Sequence, residues 1–92
     1  MIARRIVVRG RVQGVGFRYS MVEAAQAMNV TGWTRNRVDG TVEAVVQGDT
    51  ADVERLIVWS KRGPSAARVT AVEVSDASVD SALTGFSTRP TA

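Results

Sequence analysis

A glycine-containing loop followed by an arginine is the segment whose residue types best suit chemistry. It reads Gln13-Gly14-Val15-Gly16-Phe17-Arg18 and precedes a helical pattern. Two glycines let the backbone turn tightly and point successive N–H groups inward, and the helix start adds free N–H groups and partial positive charge. Arg18 can fold back over a bound anion and contact phosphate oxygens bidentately. The segment predicts a phosphate cradle, although without further signals an ordinary turn with an exposed arginine is the better explanation.

The composition restricts the chemistry, because the chain has neither cysteine nor histidine. There is no disulfide, no thiolate nucleophile and no thiolate metal site, and the commonest zinc ligand and general base is missing. We therefore expect no metal and no cofactor.

The net charge is +3, and eleven of the twelve basic residues are arginine, whose fork of donors suits phosphate. Most of these arginines are expected to be ordinary surface residues.

Apolar periodicity predicts four strands and two helices, with a short fifth strand at the end. The first strand ends near residue 12, the first helix runs to about residue 29, and a second strand covers about residues 31–38. Asp39-Gly40 predicts a tight hairpin leading to a third strand over residues 42–46. A second helix, capped by Asp49 or Thr50, ends at Gly63-Pro64, and a fourth strand covers residues 69–74. A polar loop then leads to an edge strand at Phe86.

The order βαββαβ predicts an α+β fold, the ferredoxin-like sandwich. We expect a four- to five-stranded, mostly antiparallel sheet with both helices on one face. The charged residues of the other face, including Glu43 and Glu73, should then point to solvent. A chain of 92 residues has room for one core, so residues 1–92 are expected to form a single domain. No apolar run has the length of a membrane span or signal peptide, which predicts a cytoplasmic protein without membrane contact.

Two sequence blocks resemble the acylphosphatase family. Gly10 to Arg18 is similar to the family signature, and Gly32-Trp33-Thr34-Arg35-Asn36 with Asp39 to Ala44 is similar to its second block, at the expected spacing. Gly63-Pro64 before Ala67-Arg68-Val69 resembles a third element. The likeness extends from about residue 5 to residue 74, and further to Phe86 if the end of the chain is included.

The resemblance implies the same fold and the hydrolysis of small acyl phosphates to carboxylate and inorganic phosphate, without a metal or a covalent intermediate. It places the phosphate-binding arginine at Arg18 and the water-positioning asparagine at Asn36. The backbone cradle falls on the loop residues Gln13, Gly14, Val15, Gly16 and Phe17. By itself Asn36 would be an exposed hairpin residue, and only its combination with the Arg18 block favours a catalytic role.

Two features depart from the family pattern. Thr34 stands where the family usually has an apolar β-branched residue, so its hydroxyl must find a partner or be exposed. The C-terminal stretch lacks the usual aromatic and basic character, which leaves the pairing of the last strand open.

Among the remaining residues, Trp33 and Trp59 are expected to be packing anchors rather than substrate platforms. Arg35 and Arg37 are expected beside the site or on the open face of the sheet, and Met21 and Met28 in the core.

Two other functions compete with hydrolysis. The same topology serves RNA recognition, but the positions expected to face solvent on the central strands offer no stacking platform. These positions are Arg5, Val7, Arg9, Arg11, Thr41, Glu43, Val45 and Gln47. We therefore expect no nucleic-acid partner.

The second alternative is an anion-binding domain without turnover, against which Asn36 argues. A free-standing monomeric hydrolase is the simplest interpretation.

Overall fold

The computed structural model describes residues 1–92 and contains two helices and five strands. In chain order they are β1 (Ile2–Arg11), α1 (Phe17–Ala27), β2 (Thr31–Asn36), β3 (Val42–Gly48), α2 (Thr50–Ser60), β4 (Arg68–Asp76) and β5 (Phe86–Thr88). The boundaries differ from the predictions mainly at β2, which stops at Asn36, and at β4, which is longer at both ends. Asp49 occupies the N-cap position of α2 but makes no side-chain capping bond. Neither helix is long and apolar enough to cross a membrane.

The five strands form one sheet in the order β4-β1-β3-β2-β5. Neighbouring strands are antiparallel except β2 and β5, which run parallel. This mixed, mostly antiparallel sheet confirms the predicted ferredoxin-like fold. The short strand β5 pairs with β2 through Gly32, Trp33 and Thr34, so the pairing of the C-terminal segment is defined.

The core lies between the helices and one face of the sheet. Ile6 and Val8 of β1 are fully buried beside Val42, Ala44 and Val46 of β3, as the alternation predicts. The helices contribute Met21 and Ala25 from α1 and Val53 and Leu56 from α2 to the same cluster. Burial of each large apolar side chain contributes about 1.5–3 kcal/mol to folding. This packing fixes α1 over β2 and β5.

The opposite face of the sheet is less open than predicted. The expectation that Glu43 points to solvent is wrong, because its side chain is only 5 % exposed and binds three arginines. Arg5 and Arg35 each donate to a carboxylate oxygen at 2.6 Å, and Arg37 lies at 3.5 Å. Of the two glutamates, only Glu73 is exposed as expected, and it pairs with Arg9 at 3.0 Å.

Val7, Thr41 and Gln47 were also expected on the open face, and all three are buried. The polar segment after β4 explains the burial of Gln47. Its amide donates to the backbone carbonyl of Asp80 at 2.8 Å and accepts from the Asp80 N–H at 2.9 Å. The segment predicted as a loop therefore reaches the end of β3 on this face.

The two tryptophans have different surroundings. Trp59 packs against Phe17 with a ring-centroid distance of 5.4 Å, as expected of a packing anchor. Trp33 pairs with Val45 on the face opposite the helices, and the guanidinium groups of Arg35 and Arg89 lie 4.9 and 4.5 Å from the centre of its ring. It therefore joins β2 to the residue that follows β5 through cation–π contacts.

Candidate functional site

The loop before α1 presents a continuous set of free backbone donors. Gly16 occupies the N-cap position with φ of 80°, in the left-handed region that glycine adopts without steric cost. The first hydrogen bond of the helix is from the Ser20 N–H to the Gly16 carbonyl, at 3.0 Å. None of the N–H groups of residues 14–19 donates to a protein acceptor. Together with the helix dipole they form a concentration of positive potential.

The side chain of Gln13 attaches this loop to the β2–β3 hairpin. Its amide nitrogen donates to the backbone carbonyls of Arg37 at 2.7 Å and Thr41 at 2.9 Å. The hairpin is itself fixed by Asp39, which accepts from the N–H and hydroxyl of Thr41. These two hydrogen bonds are the main reason that the pKa of Asp39 lies below its ordinary value. The cradle and the second sequence block are thus physically connected.

A cavity of about 130 Å³ lies between the loop, the first turn of α1 and the end of β2. Its lining brings together most of the residues that the sequence singled out. They are Gly14, Gly16, Phe17, Arg18 and Asn36, joined by Val12 and Tyr19. Gln13 and Val15, which were also predicted to bind phosphate, do not line the cavity.

Val12 and Tyr19 were not identified from the sequence as part of the site. Both directly flank the segment from Gln13 to Arg18, so their position next to the predicted loop could have indicated a place in the site. Their residue types, valine and tyrosine, do not by themselves indicate phosphate binding. Both line the cavity, and Val12 is fully buried whereas Tyr19 is largely exposed.

Arg18 has a charge that no acidic group neutralises. It is half-buried and forms no ion pair or hydrogen bond with the protein, and the first turn of α1 contains no acidic residue. Six other arginines form ion pairs, among them the three around Glu43, whereas the exposed Arg11, Arg62 and Arg68 form none. Burial alone would raise the pKa of Glu43, but hydrogen bonds from Arg35 and Arg5 outweigh it and lower the pKa. Arg18 is therefore free to bind an anion in the cavity.

Asn36 contributes an acceptor without a partner. Its Oδ1 atom is buried and receives no hydrogen bond from the protein. Such an atom costs about 1–3 kcal/mol when left unsatisfied, so a group that donates to it is expected when the site functions. The neighbouring Thr34 hydroxyl, whose partner was in question, donates to the Glu43 carbonyl at 3.1 Å. Asn36, which lines the cavity, thus carries the one buried side-chain polar atom of the chain that has no partner.

The arrangement suits the binding of a small anion with a donor group beside it. Backbone N–H groups and one guanidinium can surround the oxygens of a phosphate, and Asn36 can accept a proton-bearing group next to it. The lining contains no carboxylate, imidazole or thiol, so the cavity itself offers no strong side-chain base. Alignment and electrostatic stabilisation are what these residues can supply.

Comparison with known proteins identifies related sequences and structures. The family model named Acylphosphatase matches residues 4–88. An acylphosphatase of Albidiferax ferrireducens is 48 % identical over 88 residues, covering 96 % of this chain and 94 % of that protein. The crystal structure of acylphosphatase from Bacillus subtilis superposes with a TM-score of 0.92 at 35 % identity, covering 97 % of this chain and 99 % of that one.

The fold also occurs within a much longer chain. The crystal structure of full-length HypF in the phosphate- and nucleotide-bound form matches with a TM-score of 0.88 at 29 % identity. The match covers 98 % of this chain but only 12 % of that one. A similar unit is therefore found both as a protein of comparable length and as a small part of a larger one.

Proposed function

The chain belongs to the acylphosphatase family, and from this premise we propose that it hydrolyses the carboxyl–phosphate anhydride of small acyl phosphates. The products are a carboxylate and inorganic phosphate. The observation that carries the proposal is that one cavity is lined by Arg18, by loop and helix residues whose N–H groups are free, and by Asn36, whose Oδ1 is unpaired.

In this proposal the cradle and Arg18 bind the phosphoryl group. The N–H groups and the guanidinium contact its non-bridging oxygens, which carry the negative charge of a loose phosphoryl-transfer transition state. Because the donors are fixed by the loop and the helix start, they need little reorganisation as the bond to the leaving oxygen breaks.

Asn36 holds the nucleophile. A water molecule that donates a proton to Oδ1 would be oriented beside the bound phosphate, with a lone pair towards phosphorus. Attack in line with the anhydride oxygen then transfers the phosphoryl group to water. This role would also satisfy the acceptor that the free protein leaves unpaired.

The leaving group explains why the site can act without a strong base. A carboxylate leaves readily without protonation, and the substrate phosphate can take the proton from the attacking water. We accordingly propose a reaction that needs neither a metal nor a covalent enzyme intermediate. Positioning within the cavity then provides most of the acceleration.

Phosphate release from benzoyl phosphate in the presence of EDTA tests the proposal. Arg18→Ala and Asn36→Ala should each lose on the order of 10²-fold or more in kcat/KM. Arg62→Ala and Gln26→Ala are matched controls, because both residues are exposed and line neither the cavity nor its rim. They should retain wild-type rates.

Three results would contradict parts of the proposal. Hydrolysis at background rate by the wild type would remove the enzymatic function and leave an anion-binding domain. Loss of wild-type activity in EDTA, restored by added metal, would refute metal independence. Full activity in the folded Asn36→Ala variant would refute the role of its amide.

A further inference from the structure

A second, larger depression adjoins the phosphate cavity. This acyl groove, as we name it, lies between α1 and β5, has a volume of about 420 Å³, and is lined by Arg18, Tyr19, Val22, Ser87 and Thr88. Arg18 and Tyr19 line both the cavity and the groove. A group attached to a phosphate bound in the cavity can therefore extend into the groove without leaving the protein surface.

The groove is separate from the residue that we propose to hold the attacking water. Asn36 lines the phosphate cavity but not the groove. In-line displacement places the leaving oxygen opposite the attacking one. The acyl part of the substrate must therefore point away from Asn36, and the groove, which Asn36 does not line, can receive it.

Tyr19 gives this groove an aromatic wall. Its side chain belongs to a residue that is 72 % exposed, and it makes no hydrogen bond with the protein. Val22 stands three residues later on α1, where it shares the same helix face and is half-buried. Across the groove, Ser87 and Thr88 of the edge strand are exposed and polar. An apolar wall thus faces a polar one.

We propose that Tyr19 and Val22 form the acyl-binding subsite and that it favours flat aromatic acyl groups over acetyl. This inference rests on the proposed function and specifies its substrate class. An aromatic acyl group can stack on the ring of Tyr19 while its polar edge faces Ser87 and Thr88. An acetyl group, with a single methyl, offers almost no surface to either wall.

The test compares kcat/KM for benzoyl phosphate and acetyl phosphate in the wild type and in Tyr19→Ala. The ratio of the two values should fall about five- to tenfold in the variant, which is the contribution of one aromatic contact. Tyr19→Phe keeps the ring and should keep the wild-type ratio. Val58→Ala is the matched control, since Val58 is 65 % exposed on α2, outside the groove.

Because Tyr19 is exposed, its replacement should leave the folded state intact, which circular dichroism and thermal unfolding can verify. An unchanged ratio in an active Tyr19→Ala protein would overturn the subsite and leave the proposed function standing. A fall in the ratio that Tyr19→Phe shares would overturn the stacking role of the ring. If the wild type hydrolyses neither compound, the proposed function itself fails.

Discussion

The backbone carbonyl of Asn36 accepts a hydrogen bond from the N–H of Ala92 at 3.1 Å. The Ala92 carbonyl in turn accepts from the N–H of Val38 at 2.9 Å. The backbone N–H of Arg89 donates to the Thr34 carbonyl, also at 2.9 Å. The chain beyond β5 therefore continues alongside β2 and brackets the residue that we propose to hold the water. The outer side of β2 would otherwise be free at this point.

Deletion of residues 90–92 should therefore impair catalysis more than folding. Phe86 remains in the core and the backbone N–H of Arg89 keeps its bond to Thr34, but the Asn36 carbonyl loses the N–H of Ala92. We expect kcat to fall about tenfold with little change in KM, because misplacement of a positioning group by about 1 Å can cost up to 10²-fold. Thr91→Ala leaves the backbone bonds of Ala92 intact and should be fully active. A deletion variant with wild-type kcat would contradict the positioning role.

Removal of either proposed catalytic side chain should not destabilise the protein. Arg18 makes no ion pair, and the Oδ1 of Asn36 is buried without a partner. Arg18→Ala is expected to change the free energy of unfolding by less than about 0.5 kcal/mol. Asn36→Ala should be neutral or stabilising, since it removes an unsatisfied buried acceptor. Urea unfolding at pH 7 measures both values. A loss above about 2 kcal/mol in either variant would indicate a structural role instead.

The sequence predicts the core-facing side of the fold better than the opposite side. Alternation places Ile6 and Val8 correctly because burial on that face depends on a local pattern of apolar residues. Glu43 was assigned to solvent for the same reason, as a charged residue in an alternating strand. Its burial depends on Arg5, which is distant in sequence, and on its cross-strand neighbour Arg35. Charge compensation of this kind cannot be inferred from periodicity.

The candidate site shows a similar division. The glycines and Arg18 predict the loop of free N–H groups, and the family resemblance adds Asn36, while the binding of phosphate there stays a prediction. The sequence did not indicate that the side chain of Gln13 connects the loop to the hairpin, and the predicted phosphate contact of Gln13 stays a prediction. The bracketing of Asn36 by Ala92 joins segments that are far apart in sequence, and it carries no local signal. Such contacts become visible only once the strand order is known.

Replacement of Glu43 should reveal how much the buried ion cluster stabilises the sheet. Glu43→Gln leaves Arg5 and Arg35 without a charged acceptor and is expected to lower the free energy of unfolding by about 2–3 kcal/mol at pH 7. Glu73→Gln is the matched control, because its ion pair with Arg9 is exposed and contributes at most about 1 kcal/mol. Equal effects of the two substitutions would contradict the importance of burial.

The effect of Glu43 should also depend on pH. Its pKa in the folded protein is lowered from the ordinary value of 4.5, so its stabilising contribution is complete above that value and is lost as the pH falls through the folded pKa. The difference in unfolding free energy between wild type and Glu43→Gln should therefore shrink on acidification below about pH 4. Asp39 has a pKa lowered in the same direction, but it titrates in both proteins and cancels. A difference that persists to pH 2 would contradict the ionic origin.

Gly63 lies against the ring of Phe17, and its substitution should affect both stability and catalysis. It has φ of 67°, and a Cβ atom there would lie 2.5 and 2.9 Å from two ring atoms of Phe17, the first residue of α1. Gly63→Ala should therefore cost about 2–4 kcal/mol, as left-handed strain and overpacking add. Displacement of Phe17 would also shift Arg18 and lower kcat/KM. Gly85→Ala has the same backbone strain without a neighbour to meet, so it should cost only about 1 kcal/mol and leave kcat/KM unchanged. Similar losses in both variants would show that strain alone, and not the contact with Phe17, determines the effect.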